Sequence, residues 1–289
     1  MSNKSYDDRD GVIWMNGQMI EWRKANAHIL SHALHYAGAV FEGERVYDGT
    51  VFKLREHTQR LLDSAKIMGY ELPYTLQQLM DATEATVRAQ KIVDGYVRPI
   101  AWRGSGEMMG IASYKNPIHV AIATWEWPSY FDPTAKAEGI KLTLSRWHRP
   151  APDTAPVHSK TSSLYAICTM IKHEVEKKGF HDGLMLDWRG HVAESTGANF
   201  FMVKNGGLHT PTPDCFLDGI TRRTVMDLAH LRQLPVQERT ILPEELKTAD
   251  EIFLTGTAAE VTPVGQIDDM KFKVGPITKM LAEDFAKEV

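Results

Sequence analysis

Three two-residue turn signals, Asn16-Gly17, Asp48-Gly49 and Asn205-Gly206, stand between short apolar and β-branched runs. That pattern constrains the fold more than any other. A type I′ turn needs both central residues at positive φ, which Asn, Asp and Gly tolerate best, and its twist suits antiparallel strands. The spacing predicts a hairpin of VIWM with QMIEW, a second across Asp48-Gly49, and FFMVK with GLHTP across Asn205-Gly206. Arg189-Gly190, between LMLDW and HVAES, reads as a fourth.

Helical spacing fills the intervals between hairpins. Leu54, Leu61, Leu62, Ala65 and Met68 share one face, and Leu76, Leu79, Met80 and Val87 another. Leu164, Ile167, Cys168, Ile171 and Val175 predict a third helix, closed by Gly179. YVRPIAW, IHVAIATWEW, KLTLSRW and EIFLTGT read as strands, while Pro128, Pro133 and Gly139 mark a linker. The expected architecture is α+β, with a small N-terminal α+β domain at residues 1–127 and an interdomain linker at 128–139. A larger strand-rich α/β domain with helices on its outside follows at 140–289.

At 289 residues, 43% hydrophobic and 24% charged, the chain has ordinary globular composition and length enough for two modest domains. No apolar run approaches the roughly 18 to 20 residues that cross a bilayer, so no membrane association is expected. The start, MSNKSYDDRDG, lacks the pattern of a secretion signal, and a cytoplasmic location is the expectation. Cys168 and Cys215 stand far apart without partners at metal-ligand spacing, so neither a disulfide framework nor a metal site is expected. The net charge of -4 arises from interspersed acids and bases, which leaves no basic stripe for nucleic acid.

Four features could carry chemistry, and each has a commonplace reading. Gly219-Ile220-Thr221 opens a helix whose free N–H groups favour an anion, although most threonines at helix starts are simply caps. The run Leu254-Thr255-Gly256-Thr257-Ala258-Ala259-Glu260 offers approachable backbone N–H groups and two hydroxyls, and fits a plain strand-to-helix turn equally well. Glu194 ends a strand beside small residues that admit something planar, yet an isolated Glu is usually solvated surface. Lys160 lies between a proline-bearing loop and an apolar helix, where an amine in a partly apolar cleft becomes nucleophilic, although lysines are normally exposed. Spacing alone does not join the four into one site.

Taken in order with the segments around them, these features resemble the branched-chain aminotransferases among the fold type IV pyridoxal-phosphate enzymes. The resemblance runs through IWMNGQMIEW, SHALHYAGAVFEGERVY, REHTQRLLDSAK, YVRPIAWRG, the Lys160 segment, VAESTGANFF, DGITRRTV and LTGTAAEVTPVG, nearly the whole chain. It implies pyridoxal 5′-phosphate as cofactor, held covalently by Lys160, whose released amine shuttles the substrate proton. Glu194 then faces the ring nitrogen and Tyr165 the ring oxygen. Arg60 grips the phosphate with Ile220, Thr221 and Thr257, while Gly197 and Leu217 lie against the ring.

For substrate, the same resemblance assigns the α-carboxylate to Thr257 and Ala258. It makes Phe41, Tyr96, Trp127, Tyr130 and Tyr165 walls of an apolar pocket for leucine, isoleucine and valine. Arg98 receives the second carboxylate of glutamate or 2-oxoglutarate. Core packing is the ordinary alternative for Tyr96 and Trp127. The family's active site lies between its domains and is completed by a neighbouring subunit, so Tyr36 and the loop at Met109, Gly110 and Ile111 imply a homo-oligomer, at least a dimer, with the hexamer as the larger option.

Departures occur at Ser162-Ser163, where the family has a glycine-rich pair, and at Ala198, where it has Glu; they bear on fine tuning rather than on cofactor binding. D-amino-acid aminotransferase, R-selective amine transaminase and aminodeoxychorismate lyase share the lysine and glutamate. Tyr36, Phe41-Glu42-Gly43 and Tyr96-Val97-Arg98 favour the branched-chain subgroup. A catalytically silent pyridoxal-phosphate-binding protein is the alternative from another class.

Overall fold

A computed structural model describes residues 5–107, 109–127, 131 and 133–289. The chain divides into two compact units, residues 1–128 with Ser159–Ser163, and Ser129–His158 with Leu164–Val289.

The first unit contains β1 (Val12–Met15), β2 (Gln18–Glu21), α1 (His32–Tyr36), β3 (Val40–Phe41), β4 (Glu44–Tyr47), β5 (Thr50–Val51), α2 (Leu54–Ile67), α3 (Leu76–Gln90), β6 (Gly95–Arg103) and β7 (Ile118–Glu126). Its sheet runs β2-β1-β7-β6-β4-β5, with β3 also paired to β6. The β1–β2 and β4–β5 turns have positive φ at Asn16, Gly17, Asp48 and Gly49, as the turn chemistry requires. Buried positions on α2 recur as Leu54, His57, Thr58, Leu61, Ser64 and Ala65, so one face of that helix meets the core while polar groups lie along it. A reciprocal cap opens α3, with Gln78 N–H donating to Thr75 Oγ1 and Thr75 N–H to Gln78 Oε1.

The second unit contains α4 (Pro133–Glu138), β8 (Ile140–Leu144), α5 (Tyr165–Lys177), β9 (Asp182–Leu186), β10 (Val192–Ser195), β11 (Asn199–Lys204), β12 (Gly207–Thr210), α6 (Ile220–Leu231), β13 (Val236–Glu238), β14 (Glu251–Gly256), β15 (Glu260–Ile267), β16 (Met270–Lys271) and α7 (Pro276–Glu288). Its sheet is ordered β10-β9-β8-β15-β14-β11-β12-β13, with β16 on β15 and an extra β10–β11 pairing. Phe200, Met202, Ile252, Leu254 and Val264 fill its core. Two orphan N–H groups at the start of α7, on Ile277 and Thr278, donate to the buried Glu251 carboxylate. Gly275 makes room for it: a Cβ there would lie 2.2 Å from Glu251.

The structure differs from the sequence reading at three points. Residues 133–138, read as linker, form α4, because Pro133 supplies a helix start and Gly139, at φ +86°, its end. Lys160, expected with the second domain, belongs to a segment that pairs with the first, through a Val40–Thr161 bridge. Residues 257–259 turn back into β15 rather than into a helix, with Glu260 at φ +54°. Tyr130 lies outside the described residues.

Candidate active site

Lys160 is placed by its backbone. Its carbonyl accepts from Phe41 N–H at 3.1 Å, and its own N–H donates to Ser64 Oγ at 3.0 Å. Ser159 Oγ donates to Ser64 O at 3.0 Å, and Ser162 N–H to Ala39 O at 2.8 Å. Both main-chain groups of Lys160 are thus committed to the fold. The side chain is half-buried, with Nζ 5.2 Å from the centroid of the Phe41 ring.

One turn away on α2 stands Arg60, whose Nε and Nη2 donate to the two oxygens of Glu42 at 2.6 and 2.8 Å. Glu42 also accepts from His57 Nδ1 at 2.7 Å; a carboxylate can only accept, so that ring nitrogen carries the proton. Burial pushes the Glu42 carboxyl up, but the charge and hydrogen bonds of Arg60, with His57, outweigh it and hold Glu42 well below the usual carboxylate range. Burial lowers His57 despite Glu42, so the imidazole is neutral and Glu42 balances Arg60.

The predicted apolar wall of the first unit is a cluster of tilted aromatic rings. Tyr96 lies 4.6 Å from the Trp127 ring and 5.5 Å from Trp125. Gly43 is required beneath it, since a Cβ there would meet Tyr96 Oη at 1.8 Å. The Arg98 guanidinium sits 4.8 Å from the Phe41 centroid and 5.3 Å from that of Tyr96, and donates to Tyr96 Oη at 3.3 Å. No carboxylate pairs with Arg98 among the described residues, and its buried Nε lacks a hydrogen-bond partner there. Tyr36 is exposed, stacks on His32 and donates to Met109 O at 2.9 Å.

In the second unit Glu194 opposes Asn199 across the β10–β11 pairing. Asn199 Nδ2 donates to Glu194 Oε2 at 3.1 Å and to Leu217 O at 3.0 Å. Arg149, 4% exposed, brings Nε to 3.4 Å from the other Glu194 oxygen. The intervening turn is tied back by Thr196 Oγ1 to the buried Asp182, and Gly197 has open space where a side chain would be. The Thr257–Ala258 turn lies close by: a Cβ on Gly256 would touch Gly197 O and Ala198 Cβ at 3.3 Å. Beyond Leu217, Gly219 caps α6 in extended conformation with no side-chain cap, so the N-cap residue offers no oxygen to the first N–H groups, those of Ile220 and Thr221 among them. Tyr165 begins α5 and packs beside Cys168, Ile171 and Trp147.

The first unit thus holds Tyr36, Phe41, Arg60, Tyr96, Arg98, Trp127 and Lys160, and the second holds Tyr165, Glu194, Gly197, Leu217, Ile220, Thr221, Thr257 and Ala258. Sequence reading missed Arg149, which carries no local signal; Ser64, Asn199 and Glu42 stood inside quoted motifs without a role. Asp187, Asp214 and Cys215 gather within 4.8 Å as potential cation ligands. Arg189 already donates to both carboxylates, at 2.6 and 2.7 Å, and burial pushes the Cys215 thiol up to about 12.

The family model for class IV amino-transferases matches residues 39–267. The branched-chain-amino-acid aminotransferase of Pseudomonas aeruginosa is 40% identical over 288 residues, covering 97% of this chain and 94% of the relative. The crystal structure of the Escherichia coli branched-chain amino acid aminotransferase superposes with a TM-score of 0.93 at 37% identity, covering 96% of this chain and 94% of the other. The branched-chain aminotransferase of Thermoproteus uzoniensis, solved with norvaline, gives 0.92 at 36% identity with the same coverage.

Proposed function

The chain belongs to the class IV aminotransferases, and from that premise we propose that it moves the amino group between L-leucine, L-isoleucine or L-valine and 2-oxoglutarate. Enzymes of this class use pyridoxal 5′-phosphate, so the protein is a pyridoxal-phosphate-dependent transaminase of α+β, fold type IV architecture.

Its residues fit that group. The uncapped start of α6 suits a phosphate, because unsatisfied N–H groups and the helix dipole both favour an anion. Open space at Gly197 suits the flat face of a ring. Glu194, with the Asn199 amide donating to one oxygen and the Arg149 cation beside the other, suits a ring nitrogen that must keep a proton.

Bound pyridoxal phosphate supplies an electron-withdrawing ring that accepts the electron pair of the substrate Cα–H bond. Arg60 and the N–H groups of Ile220 and Thr221, with the Thr257 hydroxyl, would hold the phosphate, Leu217 would cover the ring, and the Tyr165 hydroxyl would donate to the ring oxygen. Glu194 retains the proton on the ring nitrogen. Lys160 would hold the cofactor through Nζ, and its amine would carry the Cα proton on the same nitrogen. The N–H groups of Thr257 and Ala258 take the α-carboxylate, which orients the Cα–H bond. One site serves donor and acceptor in turn, so the kinetics are ping-pong.

The observation that carries the substrate pair is Arg98. A guanidinium laid over Phe41 and Tyr96, with no acid beside it among the described residues, leaves the wall apolar for leucine yet able to meet a distal carboxylate. Absorption spectra test this. The visible band of the holoenzyme should bleach with L-leucine and return with 2-oxoglutarate; a band that persists with L-leucine but bleaches with D-alanine would move the substrate to D-amino acids.

We further infer a homo-oligomer. Ile29, Leu34, Ile111 and Tyr114 are 76%, 66%, 83% and 79% exposed in the first unit, near Tyr36 or near Met109 in sequence, and large apolar side chains left in water suit burial against a second copy. Sedimentation velocity checks this, and a monomer at micromolar concentration would refute it. No helix among the described residues is long and apolar enough to cross a membrane.

A further inference from the structure

Glu42 has a burial and connectivity that the transamination reaction itself does not call for. Its side chain is fully buried, yet it accepts two parallel hydrogen bonds from Arg60, one from His57 Nδ1 and one from Gly43 N–H at 3.3 Å. Its own N–H donates to Pro99 O at 2.9 Å, which ties the short segment between β3 and β4 to β6. His57, Arg60 and Ser64 lie three and four residues apart on α2, so one helix face carries the groups that grip Glu42 and the hydroxyl that holds Lys160 N–H.

We infer that Glu42 is a positioning residue: its fork-to-fork pairing with Arg60 fixes the guanidinium plane so that the remaining N–H bonds present to the phosphate of the cofactor in one orientation. The inference rests on the reading that Arg60 binds that phosphate. A planar guanidinium joined to a carboxylate through Nε and Nη2 keeps its other edge for a second anion, and holding the plane rigid removes rotamer entropy before the ligand arrives. Neutral His57 contributes a donor without a competing charge, so the charge of Glu42 meets that of Arg60. Glu44, two residues on and also fully buried, has neither oxygen hydrogen-bonded among the described residues. Burial, with the charge of Glu42, raises it well above the carboxylate range, and as a neutral acid it does not pair with Arg60.

The test compares pyridoxal 5′-phosphate with pyridoxal, which keeps the ring and aldehyde but lacks the phosphate. Apo-protein of the wild type and of Glu42→Gln, Arg60→Gln and Glu44→Gln is titrated with each, and occupancy is read from the visible band and from tryptophan fluorescence. Glu42→Gln and Arg60→Gln should raise Kd for pyridoxal phosphate by about tenfold or more and leave that for pyridoxal within about twofold, while Glu44→Gln leaves both unchanged. Equal weakening of both ligands in Glu42→Gln, or weakening of neither, overturns the inference. If Arg60→Gln loses the preference for the phosphorylated ligand and Glu42→Gln keeps it, Arg60 retains its role and Glu42 does not. An Arg60→Gln variant with the wild-type preference removes the phosphate reading and this inference with it. Should Glu42→Gln fail to fold, Glu42→Asp keeps the charge but withdraws the carboxylate by one methylene. The same selective loss is expected there, and an unchanged ratio of the two affinities overturns the positioning role.

Discussion

Gly219→Ala isolates one steric contact in the second unit. Gly219 has φ -63° and ψ 140°, which alanine adopts freely, so no backbone strain enters. The new Cβ would lie 2.1 Å from Asn199 Oδ1, a distance real atoms do not share, while Arg222 Cβ at 3.5 Å is in ordinary contact. Asn199 must therefore turn away. Its Nδ2 holds Glu194 Oε2 at 3.1 Å and Leu217 O at 3.0 Å, so rotation breaks one charged and one neutral hydrogen bond in a nearly buried place. Those are worth about 1.5–3 and about 0.5–1.5 kcal/mol. Replacing glycine restricts the unfolded chain and returns about 0.4–1 kcal/mol. A net loss of about 2 kcal/mol remains, or a Tm lower by roughly 4–8 °C at about 2–4 °C per kcal/mol. Thermal unfolding of the apo-protein measures it, and the same substitution in an Asn199→Ala background supplies the control. With no amide to displace, the cost there should fall to near zero or change sign. An equal cost in both backgrounds would refute the reasoning, as would an Asn199-containing variant as stable as the wild type.

Three further outcomes follow from the geometry. Lys160→Ala should lower turnover with L-leucine by at least about 10⁴-fold, since both the covalent anchor and the proton carrier are lost; steady-state rates after reconstitution check it. Arg98→Met should raise KM for 2-oxoglutarate about a hundredfold, as expected for a charged hydrogen bond made on binding, while the single-turnover rate with L-leucine stays within about threefold. Equal losses in both half-reactions would remove Arg98 from acceptor recognition. Glu245, paired with Arg239 at 2.8 and 3.0 Å, is lowered to about 2, chiefly by that hydrogen bonding. The folded-state value lies below the unfolded one, so its stabilisation is fully present above about pH 4.5 and disappears as pH falls toward 2. Glu245→Gln should therefore be less stable than wild type in denaturant titrations at pH 7, with the two curves converging across that window.

What could be read from the sequence was what the chain decides over a few residues. The Asn16-Gly17, Asp48-Gly49 and Asn205-Gly206 turns take the positive φ values that Asn, Asp and Gly permit, and the helical faces of α2, α3 and α5 follow from apolar spacing. Pro133 and Gly139 misled because the same two residues punctuate a linker or bracket a short helix, and local chemistry does not separate the cases. The segment of Lys160 misled for another reason: its unit is decided by hydrogen bonds to Ala39, Phe41 and Ser64, partners about a hundred residues away. The same distance hid the supporting groups. Asn199 is one polar residue of a quoted motif, with no role until Leu217 and Glu194 converge on it, and Arg149 is one of 33 basic residues until burial sets it beside a carboxylate. The residues that would touch ligand stood in recognisable words, because the ligand's chemistry fixes their type. The residues that hold them in place are fixed by the geometry of each unit, and at such positions any donor that reaches the right oxygen serves. Glu42 lies between these two kinds: its motif marked it, but only the bidentate contact with Arg60 gives the motif a physical reason.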